Sequence, residues 1–80
     1  MKIDEVLREI INKQLEPHGK TMEDIIGLPD WYQKFTCTQE EEAEWIQFGI
    51  DLMRKKLKWS KKRATSEMAW VTLNWGLRVV

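Results

Sequence analysis

The sequence contains few of the residues that mark a special compartment or a cofactor. Its 80 residues include one cysteine, one histidine, two prolines and four glycines. Because Cys37 stands alone, it cannot form an internal disulfide, and nothing points to an oxidising compartment. No apolar run approaches the roughly 18 residues of a membrane span, and the opening MKIDEVLREI lacks the apolar segment of a secretory signal. We therefore expect a cytoplasmic protein with no membrane segment.

Groups that carry out catalysis or bind metals are also scarce. The sequence has neither a glycine-rich phosphate loop nor a Cys/His zinc pattern. His18 lies in a Pro-His-Gly helix stop, which is typical of a surface position. Cys37 precedes a predicted helix, where a thiol pKa can be lowered, but no neighbouring feature supports a nucleophile and we favour a structural thiol. The acidic run EEEAE is what a helix N-terminus favours. We predict no enzyme, metal site, cofactor or small-molecule substrate.

Hydrophobic periodicity predicts a single all-α domain over residues 1–80. Hydrophobic residues make up 42% and charged residues 32% of the chain, as in ordinary folded proteins. The fold class that we predict is a small three-helix bundle, with a short helical elbow between the first helix and a long central helix. Helices are predicted at about 3–16, 22–26, 30–35, 39–58 and 61–75, the second and third being short.

Individual residues predict how these helices begin, end and pack. Thr38, with Glu41 three residues later, forms a capping box for the central helix, and Ser60 can cap the last one. Gly49 in the middle of the central helix indicates close approach by a neighbour. Gly76 stands where a left-handed C-cap is favoured, which would fold Leu77 back near Val71.

Charge is segregated along the sequence although the net charge is zero. Residues 1–53 carry five basic and twelve acidic side chains, whereas residues 54–80 carry eight basic and one acidic. Seven basic residues fall within RKKLKWSKKR at 54–63. Cations at the end of the central helix complement its dipole, but Lys61, Lys62 and Arg63 begin the next helix, where positive charge is unfavourable.

This basic stretch is a candidate binding site for an anion or a nucleic acid. Its alternative is a solvated run of charge, and Arg63 can also pair with Glu67. The site would vanish if residues 39–75 formed one unbroken helix. Trp59 is a candidate for stacking on a base. The complete set of candidate residues is Arg54, Lys55, Lys58, Trp59, Ser60, Lys61, Lys62 and Arg63.

Five tryptophans are many for a chain of this size. Trp31, Trp45 and Trp59 are expected in the core. Trp70 and Trp75 lie about 140° apart around the last helix, so one neighbour cannot bury both. We predict that Trp70, Trp75 and Leu77 form an interface with a protein partner or with another copy of the chain.

Two stretches resemble small uncharacterised proteins of tailed bacteriophages. They are DWYQKFTCTQEEEAEW and WSKKRATSEMAWVTLNWGL, which together cover most of residues 30–77. In the second stretch the likeness is carried by Ser60, Lys61, Lys62, Ala64, Glu67, Trp70, Leu73 and Gly76. The resemblance brings no established activity, and it implies an accessory or host-directed protein in the bacterial cytoplasm. We therefore expect a non-enzymatic protein that acts by protein–protein binding or self-association, with nucleic-acid binding through residues 54–63 as the alternative.

Overall fold

A computed structural model describes residues 3–80 and consists mainly of helices, in agreement with the all-α prediction. None of the helices within these residues combines the length and the apolar character needed to cross a membrane. The elements in chain order are α1 (Ile3–Leu15), a 3-10 turn (Glu16–His18), α2 (Met22–Ile26), α3 (Trp31–Lys34), β1 (Thr36–Cys37), α4 (Gln39–Lys56), α5 (Lys61–Trp75) and β2 (Arg78–Val79).

The long helix α4 occupies the centre of the fold. The predicted capping box at its start is confirmed: Thr38 Oγ1 accepts from the Glu41 N–H at 3.1 Å, and Glu41 Oε1 accepts from the Thr38 N–H at 2.8 Å. Three acidic residues in the first turn and three basic residues in the last turn both complement the helix dipole. The sequence of α4 therefore stabilises both of its ends.

Helices α1 and α5 both pack against α4. The larger core cluster contains Val6 and Ile10 of α1, Ile50 and Met53 of α4, and Met68 of α5, all buried. Trp45 is also buried, and its indole N–H donates to the Ile10 carbonyl oxygen at 2.7 Å. Because the indole keeps a hydrogen bond in the core, burying it leaves no polar group unpaired.

Close packing between α4 and α5 depends on Gly49. A Cβ placed at this position would overlap the thioether of Met68, which is fully buried. The absence of a side chain at Gly49 thus lets α5 approach α4. This confirms the close approach that the sequence predicts.

A second core cluster closes the other end of the molecule. It joins Ile11, Leu15, Ile25, Cys37 and Leu77, with Trp31, Phe35 and Trp75 packed around it. Beside it β1 and β2 form a two-stranded parallel sheet in which Thr36 pairs with Arg78 and Cys37 pairs with Val79. The sequence does not predict this pair, since two-residue strands have no measurable periodicity.

The prediction for the end of α5 is wrong. Gly76 has an extended conformation (φ −71°, ψ 146°) rather than a left-handed one, so the chain runs onward into β2. Leu77 consequently packs in the second cluster with Ile11 and Leu15 instead of folding back near Val71.

Candidate functional site

The basic stretch 54–63 forms the junction between α4 and α5, which we call the basic junction. Helix α4 ends at Lys56, two residues before its predicted end, and Lys58 adopts a left-handed conformation with φ 59°. Helix α5 then begins after Ser60, whose Oγ accepts from the Arg63 N–H at 3.2 Å. The helix is therefore interrupted before the predicted Ser60 cap, and α4 and α5 are separate helices.

Cationic side chains surround this junction in solvent. The exposed candidates are Arg54, Lys55, Lys58, Ser60, Lys61, Lys62 and Arg63. A shallow, open depression of about 460 Å³ lies between Asp51, Arg54, Lys55, Lys58 and Trp59. Within residues 3–80 Lys61, Lys62 and Arg63 form no ion pair, so the suggested Arg63–Glu67 pair is absent. The exposure of the three cations is compatible with either a solvated run of charge or an anion site.

Trp59 is expected in the core, and the structure confirms this expectation only in part. It lies outside α4, half-buried against the larger core cluster, and the Arg63 guanidinium lies 4.0 Å from the centroid of its ring. A cation at this distance makes a favourable contact with the indole face. Because core packing and Arg63 both cover the indole, a base can stack on Trp59 only if Arg63 moves away.

The charge segregation in the sequence persists along α4. Its first turns carry Glu40, Glu41, Glu42 and Glu44, and its last turn carries Arg54, Lys55 and Lys56. Eighteen residues of helix separate these groups by up to about 27 Å. The cations that begin α5 lie at the basic end, where Lys56 also pairs with Glu9 of α1 at 3.3 Å.

The side of α5 that faces away from α4 exposes two large apolar side chains. Ala64, Met68 and Val71 bury the inner side of the helix. On the outer side Trp70 is 63% exposed and Leu73 is 78% exposed. We call the exposed residues Lys62, Thr65, Ser66, Ala69, Trp70 and Leu73 the α5 outer face.

Only one of the three predicted interface residues lies on this face. Trp75 is half-buried and stacks on Trp31, with ring centroids 6.0 Å apart. Leu77 is only 5% exposed, so its assignment to an exposed interface is wrong. It was missed as a core residue because its burial depends on a partner in α1 that is distant in sequence.

Leu73 belongs to the exposed surface although it is not among the predicted interface residues. A signal was available, because Trp70 and Leu73 are three residues apart and share a side of the helix that does not coincide with the Ala64, Met68 and Val71 stripe. Trp70 also borders a shallow depression of about 190 Å³ that Leu7 and Trp75 help to line. The apolar surface thus extends from α5 toward α1.

A separate cleft of about 270 Å³ lies between the end of α1 and the start of α4. It is lined by Lys13, Gln14, Glu16, Pro17, His18, Cys37, Glu41, Glu42, Glu44, Trp45 and Phe48. Burial raises the pKa of the Cys37 thiol, and the carboxylates of Glu42 and Glu41 raise it further. His18 packs against Phe35, with ring centroids 5.2 Å apart. No group of three or more His, Cys, Asp or Glu residues positioned to hold a metal ion occurs in residues 3–80.

Comparisons with protein families, with curated proteins and with solved structures find no match to this chain.

Proposed function

We propose that this chain is a small non-enzymatic accessory protein that acts by binding a protein through the α5 outer face. The observation that carries the proposal is the exposure of Trp70 and Leu73 on one side of α5, at 63% and 78%. Tryptophan is a preferred anchor of protein interfaces, and adjacent exposed apolar side chains mark interaction surfaces. The bound protein is a host protein or a second copy of the chain.

The scaffold of this proposal is the three-helix bundle that the sequence predicts, formed by α1, α4 and α5. Helix α4 lies between the other two and buries the inner side of α5. The outer side of α5 is left open along the whole helix, which spans about 22 Å. A helix packed against the core on one side can bind a partner on the other.

The chemistry of the cleft beside Cys37 supports a non-enzymatic role. A thiol whose pKa is raised stays protonated at neutral pH, and the protonated form is a poor nucleophile. The resemblance to bacteriophage proteins supports a site of action in the bacterial cytoplasm. Together these points favour binding over catalysis.

A capture experiment tests the proposed surface. The tagged protein is incubated with bacterial lysate and with untagged copies, alongside the variants Trp70→Glu and Leu73→Glu. We expect both variants to lose the bound protein. Ile26→Glu is the matched control, because Ile26 of α2 is 64% exposed and lies outside the α5 outer face. Retention of the same protein by Trp70→Glu, or no bound protein of either kind, would contradict the proposal.

Nucleic-acid binding through the basic junction is the second candidate. It rests on the exposure of Lys61, Lys62 and Arg63 around a helix start whose backbone N–H groups favour anions. The proposal predicts that fluorescence anisotropy with a labelled oligonucleotide detects binding that weakens steeply with salt. Replacing these three residues by alanine should abolish the binding.

The matched control for this second candidate replaces three other exposed lysines, Lys13, Lys20 and Lys34, by alanine. This variant has the same net charge as the junction variant but keeps the junction. Equal loss in both variants would indicate a nonspecific effect of net charge. Absence of binding at 50 mM salt would exclude the candidate.

A further inference from the structure

Helix α5 carries its charge against its own dipole. Its first turn contains Lys61, Lys62 and Arg63 and no acidic residue, and its last turn contains no basic residue. The N-terminus of a helix is its positive end and the C-terminus its negative end, so both ends of α5 lack complementary charge. Negative charge beside the first turn and positive charge beside the last turn would correct the mismatch.

The α5 outer face is also divided by residue size. Small side chains occupy its centre, at Thr65, Ser66 and Ala69, between Lys62 toward the start and Trp70 and Leu73 toward the end. Reversing the direction of such a helix places the bulky Trp70 against the small Thr65. The face is therefore complementary to a reversed copy of itself.

We infer that the partner of the α5 outer face is a second copy of this chain, packed with the two α5 helices antiparallel about a two-fold axis. This inference rests on the proposed function, in which the α5 outer face binds a protein, and it identifies that protein as a second copy of the chain. An axis midway between Ser66 and Ala69 sets each Ser66 against Ala69 of the second copy. It likewise sets Lys62 against Leu73 of the second copy.

This arrangement places the basic first turn of each helix beside the negative C-terminal end of the other helix. The methylene groups of Lys62 cover Leu73 of the second copy, and the ammonium group reaches the carbonyl oxygens at the end of that helix. Each basic first turn thus supplies the positive charge that the other helix lacks at its last turn. The same contacts occur twice by symmetry.

Two-fold pairing also ends at the dimer. A head-to-tail contact between the acidic start of α4 and the basic junction would instead extend without limit unless it closed into a ring. The two-fold arrangement uses the exposed apolar side chains as well as the charges, whereas head-to-tail pairing leaves Trp70 and Leu73 in water.

Mixed disulfide formation tests the orientation of the helices. Lys62→Cys and Leu73→Cys chains are oxidised mildly, separately and as a mixture. In the antiparallel dimer the mixture places the two new cysteines opposite each other and keeps one Lys62–Leu73 contact. Identical cysteines would be about 16 Å apart along the helix, too far for a disulfide. The unaltered chain controls for the buried Cys37.

We expect a covalent dimer from the mixture and little from either variant alone. A covalent dimer from Lys62→Cys alone would indicate parallel helices and overturn the inference. Failure to cross-link in the mixture would overturn it equally.

Charge reversal tests the role of Lys62. The dimer dissociation constant is measured by light scattering at 50 mM salt, with nuclease-treated protein. Lys62→Glu should weaken the dimer about tenfold or more. Lys55→Glu is the matched control, because Lys55 is equally charged and exposed but lies on α4, and it should change the constant by less than about threefold.

The results of these experiments distinguish self-pairing of the chain from the proposed function on which it rests. A strictly monomeric chain that captures a host protein in a Trp70-dependent manner would overturn self-pairing and leave the proposed function standing. A dimer that Lys55→Glu weakens as much as Lys62→Glu would overturn the inference in favour of a contact at the whole basic junction. A dimer unaffected by Trp70→Glu and Leu73→Glu would overturn the inference, and it would contradict the proposed function as well if these variants also keep every captured host protein.

Discussion

The side chain of Gln14 holds the backbone at Leu77. The Leu77 N–H donates to Gln14 Oε1 at 3.0 Å, and Gln14 Nε2 donates to the carbonyl oxygen of Trp75 at 2.8 Å. One buried amide in α1 thereby satisfies an acceptor on the last residue of α5 and a donor two residues beyond it. This contact directs the chain away from α5 and toward β2.

Replacing Gln14 by leucine should destabilise the fold. The substitution leaves the buried N–H of Leu77 without a partner, and a loss of this kind costs about 1–3 kcal/mol. Chemical unfolding measures the change. Gln47→Leu is the control, since Gln47 is exposed on α4 and its loss should change the free energy of unfolding by less than about 0.5 kcal/mol. Equal effects of the two substitutions would contradict the assigned contact.

Replacing Gly49 by alanine should also be destabilising. Alanine improves helix propensity by about 1 kcal/mol, but overlap with the buried Met68 thioether costs about 1–3 kcal/mol. We expect a net loss in thermal unfolding that shrinks in a Met68→Ala background. Gly27→Ala serves as control, because Gly27 has a negative φ and no neighbour within 4 Å of an added Cβ. A more stable Gly49→Ala protein would show that Met68 yields without cost.

Replacing Lys58 by glycine should stabilise the protein. Lys58 has φ 59°, a left-handed conformation that costs a residue with a Cβ about 1 kcal/mol and glycine almost nothing. Lys55→Gly removes the same charge inside α4 and should instead destabilise by about 1 kcal/mol. Opposite signs in urea unfolding are the expected result, and destabilisation by both substitutions would contradict the left-handed turn.

Cys37 should react slowly with thiol reagents in the native protein. The thiol is buried, and its pKa is raised by burial and by the carboxylates of Glu42 and Glu41. We expect Ellman's reagent at pH 8 to modify the urea-unfolded chain much faster than the folded one. Fast native labelling would contradict the burial.

The raised pKa of Cys37 also determines whether stability rises or falls with pH. Because the folded pKa lies above the unfolded one, the unfolded thiol ionises first as the pH rises. The contribution of Cys37 to stability is therefore complete below about pH 8 and declines as the pH rises through the unfolded and then the folded pKa. Cys37→Ala should remove this part of the pH dependence.

The sequence predicts those features of the fold that depend on neighbouring residues. The capping box of Thr38 and Glu41 and the Ser60 cap act within one helical turn, so their spacing identifies them. The conformation of Gly76 could not be predicted in this way. Its direction depends on Gln14, which lies more than sixty residues away along the chain.

In the candidate site, too, features set by neighbouring residues could be predicted and features set by the folded chain could not. Exposure of the basic junction was predictable, because long runs of cations rarely leave water. The position of Trp59 was not, since the left-handed Lys58 ends α4 early and turns the indole toward Arg63. The angle between Trp70 and Trp75 predicted that one neighbour cannot bury both rings, but the sequence alone did not decide which of the two is exposed.

The central claim is that two copies of the chain pair through their α5 outer faces, and sedimentation equilibrium of the wild type and of Leu73→Glu tests it most directly. We predict that the average mass of the wild type rises with concentration from 9.6 kDa toward twice that value. Leu73→Glu, which replaces a side chain that is 78% exposed, should remain folded at the monomer mass throughout. A wild type that stays at 9.6 kDa over the whole range, or a Leu73→Glu protein that associates as strongly as the wild type, would contradict the account.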